Sequence, residues 1–97
     1  MATGSGKTLA FLLPILRRLE TDRNEVQSLI LAPTRELALQ IEKVFRQLKS
    51  GHKVLTCYGG HPFSRERQSL KHPPALLIAT PGRLLDHLQR ETFNTNN

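Results

Sequence analysis

The chain has a single cysteine, Cys57, a single tyrosine, Tyr58, and no tryptophan. One cysteine excludes an intrachain disulfide and any metal cluster built on several thiolates. So few large aromatics exclude a broad platform for stacking bases. Long apolar runs are also missing. Leu9 to Leu16 is almost wholly apolar and follows Lys7, a faint imitation of a secretory signal, but Arg17, Arg18, Leu19 and Glu20 stand where a small-residue cleavage site is needed. The run is far short of the ~20 residues that cross a bilayer. A cytoplasmic protein is the expectation. Acidic residues are scarce: eight Asp plus Glu face fourteen Lys plus Arg, a formal net charge of +6. That excess suits an anionic partner, although a solvated basic surface would produce it equally well.

What is present fits one small domain. Of the 97 residues 38% are hydrophobic and 23% charged, an ordinary balance for a soluble chain. A chain of this size can bury ~60–65% of its unfolded surface, enough for one core. There is no internal repeat and no low-complexity segment.

Residues 8–20 carry Leu9, Leu12, Leu13, Leu16 and Leu19 at helical spacing, with Phe11 and Ile15 widening the apolar face. So broad a face predicts a helix buried on most sides, and Pro14 inside it predicts a kink. Residues 21–27 are polar and predict a loop. Ser28 to Pro33 is a short apolar run without alternation, the pattern of a strand buried on both faces. Thr34 can cap the next helix, with Glu36 in its first turn and Leu37, Ile41, Val44, Phe45 and Leu48 on one stripe. Ser50-Gly51 ends it, Gly51 supplying a left-handed conformation. Lys53 to Tyr58 predicts a second strand, stopped by Gly59-Gly60. Ser64 to Lys71 predicts a short polar helix, and Ala75 to Ala79 a third strand. Thr80 can cap a last helix with Pro81 at its first position, Leu84, Leu85 and Leu88 on one face, and an end near Glu91. Residues 93–97 are expected to be a frayed tail. Strands alternating with helices imply an α/β fold: a three-stranded parallel sheet with right-handed crossovers and helices on both faces.

Ala2-Thr3-Gly4-Ser5-Gly6-Lys7-Thr8 carries most of the chemistry. A polyphosphate needs several backbone N–H groups converging on one point, and glycines permit the angles and leave room for the ligand. A helix starting near Lys7 adds unpaired N–H groups and the positive end of its dipole. Lys7 would reach the β- and γ-phosphates, and the Thr8 hydroxyl would ligate Mg²⁺. Gly-x-Gly-Lys-[Ser/Thr] arises by chance in well under ~1% of chains this long, so a phosphate-binding loop is favoured over an accidental glycine pair. Met1 occupies the motif's first position, where Gly or Ala is usual, and the strand that should precede the loop is not among these residues.

Three further strings close the three strands: Pro33-Thr34-Arg35-Glu36-Leu37-Ala38, then Gly59-Gly60, then Thr80-Pro81-Gly82-Arg83. Together with Ala2 to Thr8, in this order, they closely resemble the first RecA-like domain of DEAD-box ATP-dependent RNA helicases, over essentially residues 1–97 except the last few. The resemblance implies a partial RecA-like P-loop fold, ATP and Mg²⁺ as cofactors, and sequence-independent RNA binding. Thr3, Gly4, Ser5, Gly6, Lys7 and Thr8 would hold ATP, with Thr8 on the metal and Lys7 and Thr8 serving catalysis. Pro33, Thr34, Arg35, Gly59, Gly60, Thr80, Pro81, Gly82 and Arg83 would lie along the RNA sugar-phosphate backbone. Physical chemistry agrees: open α/β sheets bind ligands at the carboxyl ends of their strands, and a cation in a helix's first turn opposes the dipole, which favours a functional reason for Arg35 and Arg83.

The remaining candidates carry less. Cys57 reads as a small buried hydrophobe. His52, His61, His72 and His87 lack metal-ligand spacing and read as surface residues. Arg17, Arg18 and Arg23 read as a solvated face. The 97 residues contain no Asp-Glu-Ala-Asp string, no Ser-Ala-Thr motif, no adenine-recognising glutamine motif and no second domain. Phosphoryl transfer also needs further metal ligands, a group that orients water and an arginine finger. The expectation is that these residues alone do not hydrolyse ATP, and that a sheet cut here exposes an apolar strand edge prone to self-association. Two other readings stay open: part of another P-loop NTPase, such as a small kinase, or a non-enzymatic RNA- or nucleotide-binding remnant.

Overall fold

The computed structural model describes residues 4–59 and 63–90. Seven elements follow one another: α1 (Gly4–Arg18), β1 (Ser28–Leu31), α2 (Arg35–Gln47), β2 (Val54–Cys57), α3 (Phe63–Leu70), β3 (Leu76–Ala79) and α4 (Pro81–Gln89). The strands form one parallel sheet in the order β1-β3-β2. The alternation of element types read from the sequence is therefore the observed one, and every strand lies within its expected segment.

The sheet separates two apolar clusters. Successive strand residues point to opposite faces. Leu76 and Ile78 of β3, with Val54 of β2, meet Leu12 and Leu19 from the α1 side and Ala38, Ile41, Val44 and Phe45 of α2. Leu77 and Ala79, with Cys57, meet Leu70 of α3 and Leu84 of α4. Helices thus cover both faces, and β3 is buried along its whole length.

Three expectations about burial need correction. β1 is not buried on both faces: Leu29 is 42% and Leu31 53% exposed. It is an edge strand, and its register with Leu77 and Ala79 puts those two leucines on the α3–α4 face, beyond the cover those helices provide over β2 and β3. α1 buries Leu12 completely but leaves Phe11 and Leu13 exposed, so it is covered along one side rather than most sides. It runs without interruption through Pro14, whose missing N–H would otherwise bond the exposed Ala10 carbonyl. On α4 the buried residue is His87, with Leu84 partly buried against the α3–α4 cluster, whereas Leu85 and Leu88 are exposed.

The helix ends are also informative. Thr34 Oγ1 accepts the Leu37 N–H at 3.1 Å, the expected cap. Thr80 sits at the N-cap of α4 with Pro81 following, but its side chain makes no capping bond. Only its carbonyl serves, accepting the Leu84 N–H at 2.9 Å. α2 ends at Gln47, earlier than Ser50-Gly51. The left-handed turn is shared between Lys49 (φ 50°) and Gly51 (φ 84°). A residue with a Cβ is disfavoured at Lys49 by roughly 1–2 kcal/mol relative to a right-handed conformation.

Candidate functional site

The register sets the site. Leu31, Ala79 and Cys57, the last residues of β1, β3 and β2, lie level across the sheet. The Ala32 N–H donates to the Ala79 carbonyl at 2.9 Å and the Thr80 N–H to the Cys57 carbonyl at 3.0 Å, so the chain leaves all three strands from one tied edge. Pro33, Thr34 and Arg35 leave β1, Tyr58 and Gly59 leave β2, and Thr80, Pro81, Gly82 and Arg83 leave β3. The three strings, about 20–25 residues apart in sequence, therefore become neighbours. Pro33, Thr34, Arg35, Gly59, Pro81 and Gly82 are exposed, Thr80 and Arg83 half-buried. Gly59 and Gly82 have open space where a Cβ would stand. Gly60 lies outside the described residues.

The exits from β1 and β2 touch directly, and the exit from β3 is tied to α3. The Arg35 guanidinium sits over the Tyr58 ring, 5.9 Å from its centroid, within cation–π range. The Arg83 Nε–H donates to Glu66 Oε1 at 2.8 Å. Arg83 is thus paired with a carboxylate rather than solvated in the first turn of α4. Glu66 was not among the candidate residues, because a lone glutamate on a short polar helix carries no distinguishing pattern. The one signal available was the spacing of Arg83 and His87, four apart on α4 and hence on one face of it. His87 is a correction: it is 1% exposed, not a surface histidine, and its Nε2 lies 2.6 Å from the same Glu66 Oε1.

Cys57, Glu66 and His87 are all buried, with ligand atoms within 4.8 Å of one another. This is the one such group of three among the described residues, and its chemistry argues against a metal centre. Two ligands on one zinc ion, each about 2.0–2.2 Å from it in tetrahedral geometry, stand further apart than the 2.6 Å hydrogen-bonded contact between His87 and Glu66. Arg83 already brings positive charge to the carboxylate. Burial pushes the Cys57 thiol well up from its ordinary value, the negative charge of Glu66 pushes the same way, and Arg83 opposes it only in part. Metals are bound by the thiolate, which this site disfavours.

A prediction follows for that thiol. In the folded chain Cys57 should resist iodoacetamide at about pH 8.5–9, where free thiols react, and should be alkylated once urea unfolds the chain. Because the folded form keeps a proton that the unfolded form releases, stability should fall as pH rises above the ordinary thiol range and be independent of this group below it. Rapid alkylation of folded protein, scored by mass spectrometry, would contradict this burial.

The other end of the site is the start of α1. The helix opens at Gly4, four residues before Thr8, with no acidic residue in its first turn. Its leading N–H groups have no intrahelical acceptor. Lys7 is exposed, and Thr8 is 5% exposed on the buried side. Thr3 lies outside the described residues. At the opposite end, the Gln27 side chain accepts the Glu20 N–H at 2.7 Å and donates to the Glu20 carbonyl at 2.8 Å, while the Gln27 N–H bonds the Ala75 carbonyl. These bonds hold the C-terminal end of α1 at the amino edge of the sheet. Since α1 packs over the sheet on the β3 side that faces α2, its N-terminus is directed towards the carboxyl edge.

A parallel sheet with helices on both faces, a Gly-Ser-Gly-Lys-Thr helix start and turns gathered on one edge define a RecA-like α/β domain. Comparisons with known proteins carry this further. The sequence model of the DEAD/DEAH box helicase family matches residues 1–97. The chain is 50% identical over 95 residues to the ATP-dependent RNA helicase DbpA of Escherichia coli, covering 95% of this chain and 21% of that protein. It is 47% identical over 93 residues to the ATP-dependent RNA helicase CshA of Listeria monocytogenes, covering 94% of this chain and 18% of that one. Among solved structures, a hypothetical ATP-dependent RNA helicase from Sulfolobus tokodaii superposes with a TM-score of 0.79 at 35% identity, covering 96% of this chain and 27% of that one. The yeast DEAD-box splicing factor Prp28 gives 0.77 at 37% identity, covering 96% and 24%. The chain belongs to the DEAD/DEAH box helicase family. It spans about a fifth of the length of these curated relatives. Among the described residues no helix is long and apolar enough to cross a membrane.

Proposed function

We propose that residues 1–97 form part of the N-terminal RecA-like ATP-binding domain of a cytoplasmic ATP-dependent RNA helicase. Its carboxyl edge takes an RNA backbone, and the whole protein uses cycles of ATP binding and hydrolysis to separate short duplexes. The observation that carries this reading is the level, hydrogen-bonded exit of three motif strings from one parallel sheet edge. Arg35 supplies exposed charge, and the backbones at Gly59 and Gly82 are open to close approach. Phosphate and sugar are recognised without reading base identity. On the nucleotide side, Thr3, Gly4, Ser5 and Gly6 supply backbone N–H groups, Lys7 an ammonium and Thr8 a hydroxyl. This donor set, free of carboxylates in its first turn, fits a polyphosphate. The Thr8 hydroxyl is the protein oxygen that would hold Mg²⁺, which would supply positive charge against the phosphates.

Fluorescence anisotropy with a labelled single-stranded RNA tests the RNA reading. Affinity should fall steeply with KCl and be similar for different base sequences. Arg35→Ala should weaken binding about three- to tenfold and reduce the salt slope by about 1. Binding that ignores salt, or that depends on one base sequence, would overturn the reading.

The same reading includes self-association through β1, whose outer edge has no strand partner among the described residues and whose Leu29 and Leu31 are exposed. Leu31→Lys places a charge on that strand, the usual defence of a free edge. It should shift the sedimentation profile of concentrated protein towards monomer. A wild-type chain that sediments as a monomer at every concentration would remove this part of the proposal.

A further inference from the structure

Glu66 bonds polar groups from α4 and from the chain just after β2, and the functional reading above leaves it without a role. Its side chain is 1% exposed. One carboxylate oxygen accepts the Arg83 Nε–H at 2.8 Å and meets His87 Nε2 at 2.6 Å, and the other accepts the Tyr58 N–H at 3.2 Å. One carboxylate on α3 thus holds the first residue after β2 and two residues one turn apart on α4. Tyr58 in turn carries Arg35 over its ring. Glu66 thus holds Arg83 directly, reaches Arg35 through Tyr58, and fixes the backbone at the residue just before Gly59.

Stability alone does not explain such an arrangement. Burying an ion pair gains little over filling the space with apolar side chains, because both ions must be stripped of water. A buried pair does impose geometry: a planar guanidinium bonded at Nε has its direction fixed. Without a counter-charge, a cation in the first turn of α4 would also oppose the helix dipole. Arg83 is nevertheless 13% exposed, so the side chain that Glu66 holds still reaches solvent at the carboxyl edge.

We infer that Glu66 is a positioning residue for RNA binding: its buried carboxylate aims Arg83, and with it the 80–83 turn, at the RNA backbone. The inference rests on the reading of this edge as an RNA site. It adds that Arg83 acts as a directed donor whose charge is largely neutralised by Glu66, whereas Arg35 acts as an open charge.

The test is RNA anisotropy on five variants of the 97-residue chain, Arg35→Ala among them, each first shown to be folded by circular dichroism and thermal melting. Glu66→Asp keeps the charge but withdraws the carboxylate by one methylene, and should weaken RNA binding about tenfold, the scale of one charge-assisted bond to phosphate. Glu66→Gln keeps the length and one acceptor oxygen without the charge, and should recover most of that loss. Arg83→Ala should weaken binding to a similar extent as Glu66→Asp, and the Glu66→Asp/Arg83→Ala double variant should be no weaker than Arg83→Ala alone. Arg83→Ala should also change the salt slope less than Arg35→Ala does.

A purely structural Glu66 would shift the melting temperature and leave the affinity of the folded protein unchanged, which overturns the inference. So would tighter binding by Glu66→Gln together with wild-type binding by Glu66→Asp, since charge rather than aim would then be what Glu66 controls. Fully additive losses in the double variant overturn it as well. If Arg35→Ala binds like wild type, the RNA reading of the edge fails first, and the role of Glu66 fails with it. If Arg35→Ala loses affinity while the Glu66 variants do not, only the role of Glu66 fails. Should Glu66→Asp not fold, Glu66→Met, of similar length but without an acceptor, replaces it in the single and double variants: a loss of affinity that adds nothing to that of Arg83→Ala supports the positioning role, and unchanged affinity or a fully additive loss overturns it.

Discussion

Lys7→Ala should weaken MgATP binding by the chain at least about tenfold, because one hydrogen bond to a charged group contributes about 1.5–3 kcal/mol. Lys7 is exposed in the first turn of a helix that opens with Gly-Ser-Gly and has no acidic residue there. The remaining donors are backbone N–H groups, which hold a phosphate but bring no full charge. Removing Lys7 therefore takes the only side-chain cation from the Gly4–Thr8 segment. Titration calorimetry measures the effect directly, and equal affinity in the two proteins would remove the phosphate-loop reading. The same samples test whether the 97 residues act alone. No Asp-Glu-Ala-Asp string occurs among them, so no steady phosphate release by these residues alone is expected. Turnover that disappears in Lys7→Ala would overturn that expectation.

Phe45→Ala should destabilise the fold by about 3–5 kcal/mol, the range for removing a buried aromatic ring and leaving a cavity. Phe45 is 2% exposed and belongs to the cluster that joins α2 to β3 and β2. A domain of this length has roughly 5–15 kcal/mol in total, so the urea midpoint should fall sharply or the variant should unfold. Leu39 lies on the same helix but is 41% exposed, and Leu39→Ala should stay within about 0.5 kcal/mol of wild type. Similar midpoints for the two variants would mean that α2 does not pack through Phe45.

Local rules made much of this architecture legible. Ala75 to Ala79 reads as a strand because five apolar residues stand between Pro74 and Thr80, and β3 does lie at the centre, buried on both faces. Thr34 reads as a cap from its place before Arg35-Glu36, and its hydroxyl does accept the Leu37 N–H. The phosphate-loop string and the three strand-end strings are contiguous in sequence, so each could be found without knowing what lies beside it.

The errors share one cause. Ser28 to Pro33 and Ala75 to Ala79 have nearly the same apolar character, yet one is the edge of the sheet and the other its centre. Apolar character records that a strand is covered, but strand order decides on how many sides. His87 reads as a surface histidine because its partner stands 21 residues away, on another helix. The leucines of α4 suggest a face of Leu84, Leu85 and Leu88, whereas the helix turns Leu84 and His87 inward and leaves the other two exposed.

Composition, periodicity and short motifs thus determined the element order, the α/β class and the family, because each of these depends on residues within a few positions of one another. Strand order, the half-covered β1 and the Glu66–Arg83–His87 cluster were decided only when the chain closed on itself. The first two depend on which strands pair across the sheet, and the cluster on side chains from α3 and α4 and a backbone N–H beyond β2 meeting in space; no local pattern encodes either.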